Sequence, residues 1–334
     1  MRIIIPMAGM GKRMRPHTLT IPKPLIPIAG KSIVQRLVED LKTTIQKPID
    51  EIAFIIGDFG KDVESSLLQI ASDMGTQGSI YYQNEPLGTA HAVLCAAPSL
   101  QGEVVVAFAD TLFRTSSIQG NHADALIWVK EVENPSQFGV VKLNNEGIIT
   151  DFIEKPQTPI SNLAIIGIYY FKNGEQLRQE LQFLIDNDIK VKGEYQLTDA
   201  LQNMKNKGLI LKASTIDEWF DCGNKEATLQ TTKRILELSN PNELIMPTAK
   251  IINSIIIPPC FIGIDAIVEN SVVGPHVSIG KHTHIKNCII KESIIQRYSH
   301  VENLLIQHSI VGNNSDIIGK FKDLNVGDYN TLTL

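Results

Sequence analysis

Cysteine is scarce in this chain: four residues in 334, at positions 95, 222, 260 and 288, with no Cys-x-x-Cys pair among them. That excludes a disulfide scaffold and the usual thiolate zinc spacings, and it makes the reducing cytoplasm the expected location. No run approaches the roughly 20 apolar residues of a membrane-spanning helix. Even the isoleucine-rich final third is interrupted every few positions by Gly, Asn, Pro or charge. A long basic stretch is also missing and the net charge is only −5, so neither nucleic acid nor a membrane is an expected partner.

What is present is the composition of a globular protein, 43% hydrophobic and 20% charged, in a chain long enough for two cores. Apolar runs suited to buried strands alternate with helical spacing through the first half: Ile3 to Ile5, then Ile33, Leu37, Leu41 and Ile45, then Ile52 to Ile56. Further strands are expected at 79–82, 104–108, 125–129, 139–143, 148–152 and 164–171, with helices near 61–72 and 89–96. This order predicts an α/β fold, a doubly wound mixed sheet with its ligand at the carboxyl ends of the strands. A helix is expected over 225–238, stopped by Asn240-Pro241. The expected division is therefore 1–240 and 241–334.

Past that point the pattern changes. Aliphatics recur at Ile262, Val268, Val273, Ile279, Ile285, Ile290, Ile295, Val301, Ile306, Val311 and Ile317, mostly in steps of six with several of five. Three such edges make one triangular coil of a parallel β-helix, each aliphatic pointing inward, and the stretch allows about four coils. Residues 321–334 are expected to cap the open end, and the flat faces of the coils suggest homo-oligomer contacts through this domain.

The first strand runs into Ala8-Gly9-Met-Gly11-Lys12-Arg13-Met14, and Pro22-Lys23-Pro24 follows. A P-loop would need Gly-x-x-x-x-Gly-Lys-Ser/Thr, and a dinucleotide fingerprint a third glycine where Met14 stands. Glycines at 9 and 11 let backbone N–H groups approach a phosphate chain, and Arg13 and Lys23 add charge where it grows in phosphoryl or nucleotidyl transfer. Taken alone, such a turn serves packing as readily.

The whole segment resembles the signature of the sugar nucleotidyltransferases, the nucleoside-diphosphate-sugar pyrophosphorylases, usually Gly-x-Gly-Thr-Arg-Leu/Met followed by Lys-Pro. Gly9, Gly11, Arg13, Met14, Lys23 and Pro24 match it. The departure is Lys12, where the family most often has Thr, so a cation replaces a hydroxyl. The resemblance implies that Ala8, Gly9, Gly11 and Lys12 contact the nucleotide, that Arg13 and Lys23 bind triphosphate and departing pyrophosphate, and that the β-helix is left-handed.

Further blocks extend the resemblance. Gln83, Pro86, Gly88 and Thr89 match the stretch that reads the nucleobase; a Gln amide can donate and accept against the imide edge of uracil or thymine, so a pyrimidine is expected, while Thr89 also suits a helix cap. Asp110 closes the strand 104–108, where a carboxylate facing a triphosphate is placed to hold Mg²⁺, and Asp221 in Trp219-Phe-Asp-Cys-Gly resembles the family's second ligand. Gly139, Glu154, Lys155, Asn162, Gly167 and Tyr169 fall in blocks that look like the family's sugar pocket, with Lys155 on the 1-phosphate. The 193–199 block, Gly-Glu-Tyr-Gln-Leu-Thr-Asp, resembles a supporting element.

The implied reaction transfers a nucleoside monophosphate from dTTP or UTP to a sugar 1-phosphate, glucose 1-phosphate being the commonest family partner, with Mg²⁺ as cofactor. Two alternatives stay open. One is a bifunctional enzyme whose hexapeptide domain also transfers an acyl group, because five of the eight histidines (276, 282, 284, 300 and 308) lie there. The other is a nucleotide-sugar-binding regulatory protein without turnover.

Overall fold

The structure, a computed structural model, describes residues 1–45, 47–115, 123–156, 158, 160–320 and 326. The expected cap at 321–334 lies outside these, Val326 apart. Contacts divide the chain into two compact units: Met1–Ile26 with Lys31–Ala227, and Pro27–Gly30 with Thr228–Leu334. Among the described residues no helix is long and apolar enough to cross a membrane.

The first unit is built on a nine-stranded sheet. Its strands are β1 (Arg2–Pro6), β2 (Glu51–Ile56), β3 (Gln77–Tyr82), β4 (Val104–Ala107), then, past a short strand β5 (Thr111–Arg114) that lies outside the sheet, β6 (Ala125–Glu131), β7 (Gly139–Leu143), β8 (Ile149–Glu154), β9 (Leu163–Phe171) and β10 (Leu211–Thr215). The order is β8-β7-β9-β4-β1-β2-β3, with β6 pairing β9 and β10. β1, β2, β3 and β4 run parallel, as continuous apolar runs such as Ile3-Ile4-Ile5 and Val104-Val105-Val106 require of strands buried on both faces. β9 pairs antiparallel with both β4 and β6 and joins the two halves. Against β6 its register slips between Ile165 and Tyr169, around Gly167 at φ +84°.

Helices α1 (Ile33–Ile45), α2 (Lys61–Asp73), α3 (Thr89–Leu94), α4 (Gly174–Asp186) and α5 (Leu197–Asn206) belong to the same unit. α1 buries Ile33, Leu37 and Leu41 of the expected stripe with Val34 and Val38 beside them, while Ile45 at its end is half-buried. A last strand, β11 (Glu218–Asp221), pairs antiparallel with β5 and sets Asp221 opposite Thr111. That pairing, α4 and α5 were not expected from the sequence. Helix α6 (Lys225–Leu238) has the predicted bounds, and its body from Thr228 falls in the second unit.

The second unit is the parallel β-helix. Lys250, Ile267, His284, His300 and Asp316 stack in register, so successive coils take 17, 17, 16 and 16 residues. Edges of five as well as six residues produce this, rather than three sixes. Ile262, Val268, Val273, Ile279, Ile285, Ile290, Ile295 and Val301 are fully buried and Val311 nearly so. Two positions break the expectation: Ile306 is half-buried, and Ile317, on the last described strand, is 37% exposed. Corners adopt the left-handed conformation at Asn253, Asn270, Asn287 and Asn303, and likewise at His276, His282 and His308, the residue types that tolerate it best. Each of the five histidines lies within 3.5 Å of a carboxylate, His276 of Glu237 and His308 of Glu292 among them.

Candidate active site

The carboxyl ends of β1 and β4 open on a cavity of about 580 Å³. It is lined by Ala8, Gly9, Gly11, Lys12 and Arg13, by Lys23, by Gln83, Pro86, Gly88 and Thr89, and by Asp110. Every position expected to contact the nucleotide is therefore gathered around one space, from segments more than eighty residues apart in sequence. Glu194 and Gly223 join them, together with Met7, Ala92 and Phe108.

The glycine loop is shaped by close approach. Gly11 has φ +58°, and a Cβ there would meet Thr18 Cγ2 at 3.0 Å and Lys23 Cβ at 3.1 Å, while its carbonyl accepts the Thr18 hydroxyl at 2.8 Å. A Cβ at Gly9 would meet nothing within 4 Å; it would project into open space where a ligand can approach the backbone. One turn of 3₁₀ helix at Lys12–Met14 buries Met14 and leaves Lys12 and Arg13 exposed.

Lys23 Nζ donates to Asp110 Oδ2 at 2.8 Å. Asp110 sits in the turn between β4 and β5, and its carbonyl accepts from Cys222 N at 3.0 Å, which ties it to the residue after Asp221. Burial, and behind it the Asp110 carboxylate, pushes the Asp221 carboxyl above its ordinary range, against the downward pull of Gly223 N–H, Lys23 and Arg13. The two acids thus stand close enough to repel while facing two cations. Such a pair of hard oxygen donors fits Mg²⁺, which takes one or two carboxylates and completes its shell with phosphate oxygens and water. Cys222 is fully buried and raises no claim as a nucleophile.

At the other expected contact, Gly88 has φ +117°, and a Cβ would lie 2.4 Å from Tyr195 O and 2.7 Å from Tyr195 N. The backbones clamp each other through Ala90 N to Tyr195 O and Tyr195 N to Leu87 O. Thr89 Oγ1 accepts from Leu197 N at 2.9 Å. Gln83 Nε2 lies 3.1 Å from the Gly88 carbonyl and 3.2 Å from His91 Nδ1. Sequence reasoning passed over His91; its signal was its place on the first turn of α3, inside the base-reading stretch.

The sugar set is more dispersed, and none of its residues lines the cavity. Gly139 and Glu154 are adjacent across β7 and β8, a Cβ at Gly139 meeting Glu154 Oε2 at 2.9 Å. Lys155 Nζ stands 3.6 Å from Glu154, and Lys155 holds φ +46°, a left-handed strain of the kind that gathers at functional sites. Glu154 also reaches Asp199, whose carboxyl is raised by burial first and by Glu154 second. Trp219, packed edge-on against Phe138 at 5.0 Å, has a buried indole N–H without a partner. Two expectations fare differently: Tyr169 is 5% exposed in the core, its ring edge-on to Phe108, and Asn162 bonds Glu131 at the other end of β9. Gly167 supplies a carbonyl to Phe108 N.

Residues 2–237 match the family model described as nucleotidyl transferase, and residues 241–301 match the GlmU-like C-terminal hexapeptide. The low-salt glycan biosynthesis nucleotidyltransferase Agl11 of Haloferax volcanii is 33% identical over 250 residues, 71% of this chain and 66% of that protein. A glucose-1-phosphate thymidylyltransferase of Streptomyces antibioticus is 28% identical over 319 residues, 88% of this chain and 87% of that one. The chain thus spans just under two thirds of the first relative and most of the second. A solved UDP-glucose pyrophosphorylase complexed with UDP-glucose superimposes with a TM-score of 0.57 at 25% identity, covering 71% of this chain and 99% of that one.

Proposed function

The chain belongs to the nucleotidyl transferase family, and on that premise we propose that it joins a nucleoside triphosphate to a sugar 1-phosphate, releasing pyrophosphate and giving an NDP-sugar. The favoured pair is dTTP or UTP with glucose 1-phosphate. The observation that carries this reading is the meeting of glycine loop, Arg13, Lys23 and Asp110 with Gln83, Gly88 and Thr89 around one cavity. The thymidylyltransferase relative and the structure holding UDP-glucose support the choice of substrates.

The nucleophile is an oxygen of the sugar 1-phosphate, largely ionised at neutral pH because its second pKa is about 6, so no general base is needed. It attacks the α-phosphorus as the bond to the bridging oxygen of pyrophosphate breaks, and pyrophosphate leaves with the electron pair. Positioning and charge are the protein's contribution. Lys155 orients the sugar phosphate, Glu154 and the Gly139 backbone hold sugar hydroxyls, and Arg13 and Lys23 take up charge on the leaving group. Asp110 and Asp221 are the residues that would hold Mg²⁺, which when bound neutralises phosphate oxygens as their charge develops.

We assign the β-helix to homo-oligomer contacts rather than acyl transfer. Three of its histidines serve as left-handed corners, whereas Ile255, Val272, Ile289 and Leu305 align outward in register, with Leu305 78% exposed. No disulfide joins the four cysteines, and a cytoplasmic setting suits such a chain.

Pyrophosphate release measured over five nucleotides and four sugar 1-phosphates tests the reading. The expected result is release from dTTP or UTP that depends on the sugar phosphate. Release indifferent to the sugar phosphate, or none with any pair, would reject it.

A further inference from the structure

Gln83 follows β3, where its backbone N–H bonds Ile56 O at 2.8 Å. Its side-chain nitrogen has two hydrogens and two acceptors within reach, the Gly88 carbonyl at 3.1 Å and His91 Nδ1 at 3.2 Å. The Gly88 carbonyl can only accept, so the nitrogen rather than the oxygen of the amide must face it. That carbonyl is itself held, because it also accepts Ala92 N at 3.0 Å and because Gly88 is pressed against Tyr195. With the amide turned this way, the His91 ring nitrogen that meets it must be unprotonated and accepting. Both donors of Gln83 are then engaged, and its oxygen is the one polar atom left for a ligand.

Gln83 lines the cavity and His91 does not. His91 stands behind it on α3 and touches the nucleotide only through it. We propose that His91 is a positioning residue for base choice: it fixes the Gln83 amide as a pure acceptor set against the ring nitrogen of the base, which selects the ring N–H of the uracil or thymine imide over cytosine, whose ring nitrogen is itself an acceptor and whose donor on that edge is the exocyclic amine. The inference rests on the reading of Gln83 as the base contact. It also sharpens that reading, since a free amide would donate as readily as accept and would take either pyrimidine.

UTP and CTP are the natural probes, because they differ at the edge in question and share everything else; dTTP and dCTP replace them if the deoxy pair turns over faster. The quantity to measure is the ratio of kcat/KM for the imide nucleotide to that for its cytosine counterpart, which is independent of the fraction of protein folded. His91→Phe keeps a ring but removes the acceptor, and should lower the ratio about fivefold to tenfold, the worth of one neutral hydrogen bond. The change should enter through KM, with kcat at saturating UTP retained. His91→Asn places an oxygen close to where Nδ1 stood and should restore most of the ratio. A His91→Phe enzyme with the wild-type ratio overturns the proposal, and so does an Asn variant that falls as far as Phe, because a merely structural histidine would behave so. Gln83→Leu separates the two levels. If it lowers the ratio and His91→Phe does not, only the role of His91 falls; if it leaves the ratio alone, or if neither imide nucleotide is a substrate, the base reading falls and takes this proposal with it.

Discussion

The ammonium of Lys23 and the carboxylate of Asp110 meet at 2.8 Å, the lysine side chain 11% exposed and the acid 40% exposed. A cation from the glycine-loop region and an acid from the end of β4 thus occupy the same corner of the cavity, where a metal-bound triphosphate would have to share them. Asp110→Asn should lower kcat/KM by on the order of 100-fold, about 3 kcal/mol, by removing a hard oxygen donor from a charge-dense transition state. Steady-state rates across a magnesium titration check this. A variant with an unchanged metal requirement and rate would remove Asp110 from the metal site.

Arg13 stays exposed at the cavity rim while Met14 beside it is buried. Its side chain lines the cavity and is open to solvent, so the guanidinium is free of core packing and available to charge on a leaving pyrophosphate. Arg13→Ala is expected to reduce transition-state stabilisation by about 3 kcal/mol, comparable to losing a preorganised oxyanion donor. An unchanged kcat/KM would contradict the role.

Asp40 on α1 carries a carboxyl that burial raises from 3.8 to about 6, more than Arg36 and Arg114 pull it down. Since this value lies above that of the unfolded chain, the folded protein holds the proton more tightly. The stability contributed is complete below about pH 4 and is lost as pH rises through 6. Asp40→Asn cannot ionise, so it should gain on the wild type between pH 4.5 and 7.5 by about 2 kcal/mol. Urea unfolding at the two pH values reads the difference, and equal midpoint differences at both would contradict it.

On the β-helix, Ile289 and Leu305 are neighbours in register, 52% and 78% exposed. Charges introduced there touch no buried column. If this face carries the proposed homo-oligomer contacts, Ile289→Glu with Leu305→Glu should lower the sedimentation coefficient while thermal unfolding stays within about 0.5 kcal/mol of wild type, as surface substitutions do. An unchanged sedimentation coefficient would remove this face from the proposed oligomer contacts, and a wild type that sediments as a monomer would remove the proposal.

Periodicity made much of this molecule legible. The strand Ile3-Ile4-Ile5, the α1 stripe and the inward column from Ile262 to Val311 all follow from spacing along a short stretch of chain, and they are buried apart from Ile45 and Ile306, which are half-buried. The mixture of five- and six-residue steps in the sequence appears in the structure as coils of 17, 17, 16 and 16 residues. α4 escaped notice although its signals were present: Asn173 caps it by accepting Gln176 N, and Leu177, Leu181 and Leu184 recur at helical spacing. Tyr169 is expected at the pocket wall from its block and is 5% exposed in the structure, against Phe108, and which way the residues of β9 face turns on the register slip around Gly167.

Local order in the chain was enough to dictate which segments become strands, helices or coils, and which glycines must bend sharply, because those outcomes depend on neighbours within one turn or one edge. The meeting of Lys23 with Asp110, the approach of Asp221 to both, and the two-point grip on the Gln83 amide were settled by folding in three dimensions. The first two are contacts between segments 87 or more residues apart, set by strand order. The third turns on which of two nearly isosteric atoms faces a carbonyl, and no motif spells that out.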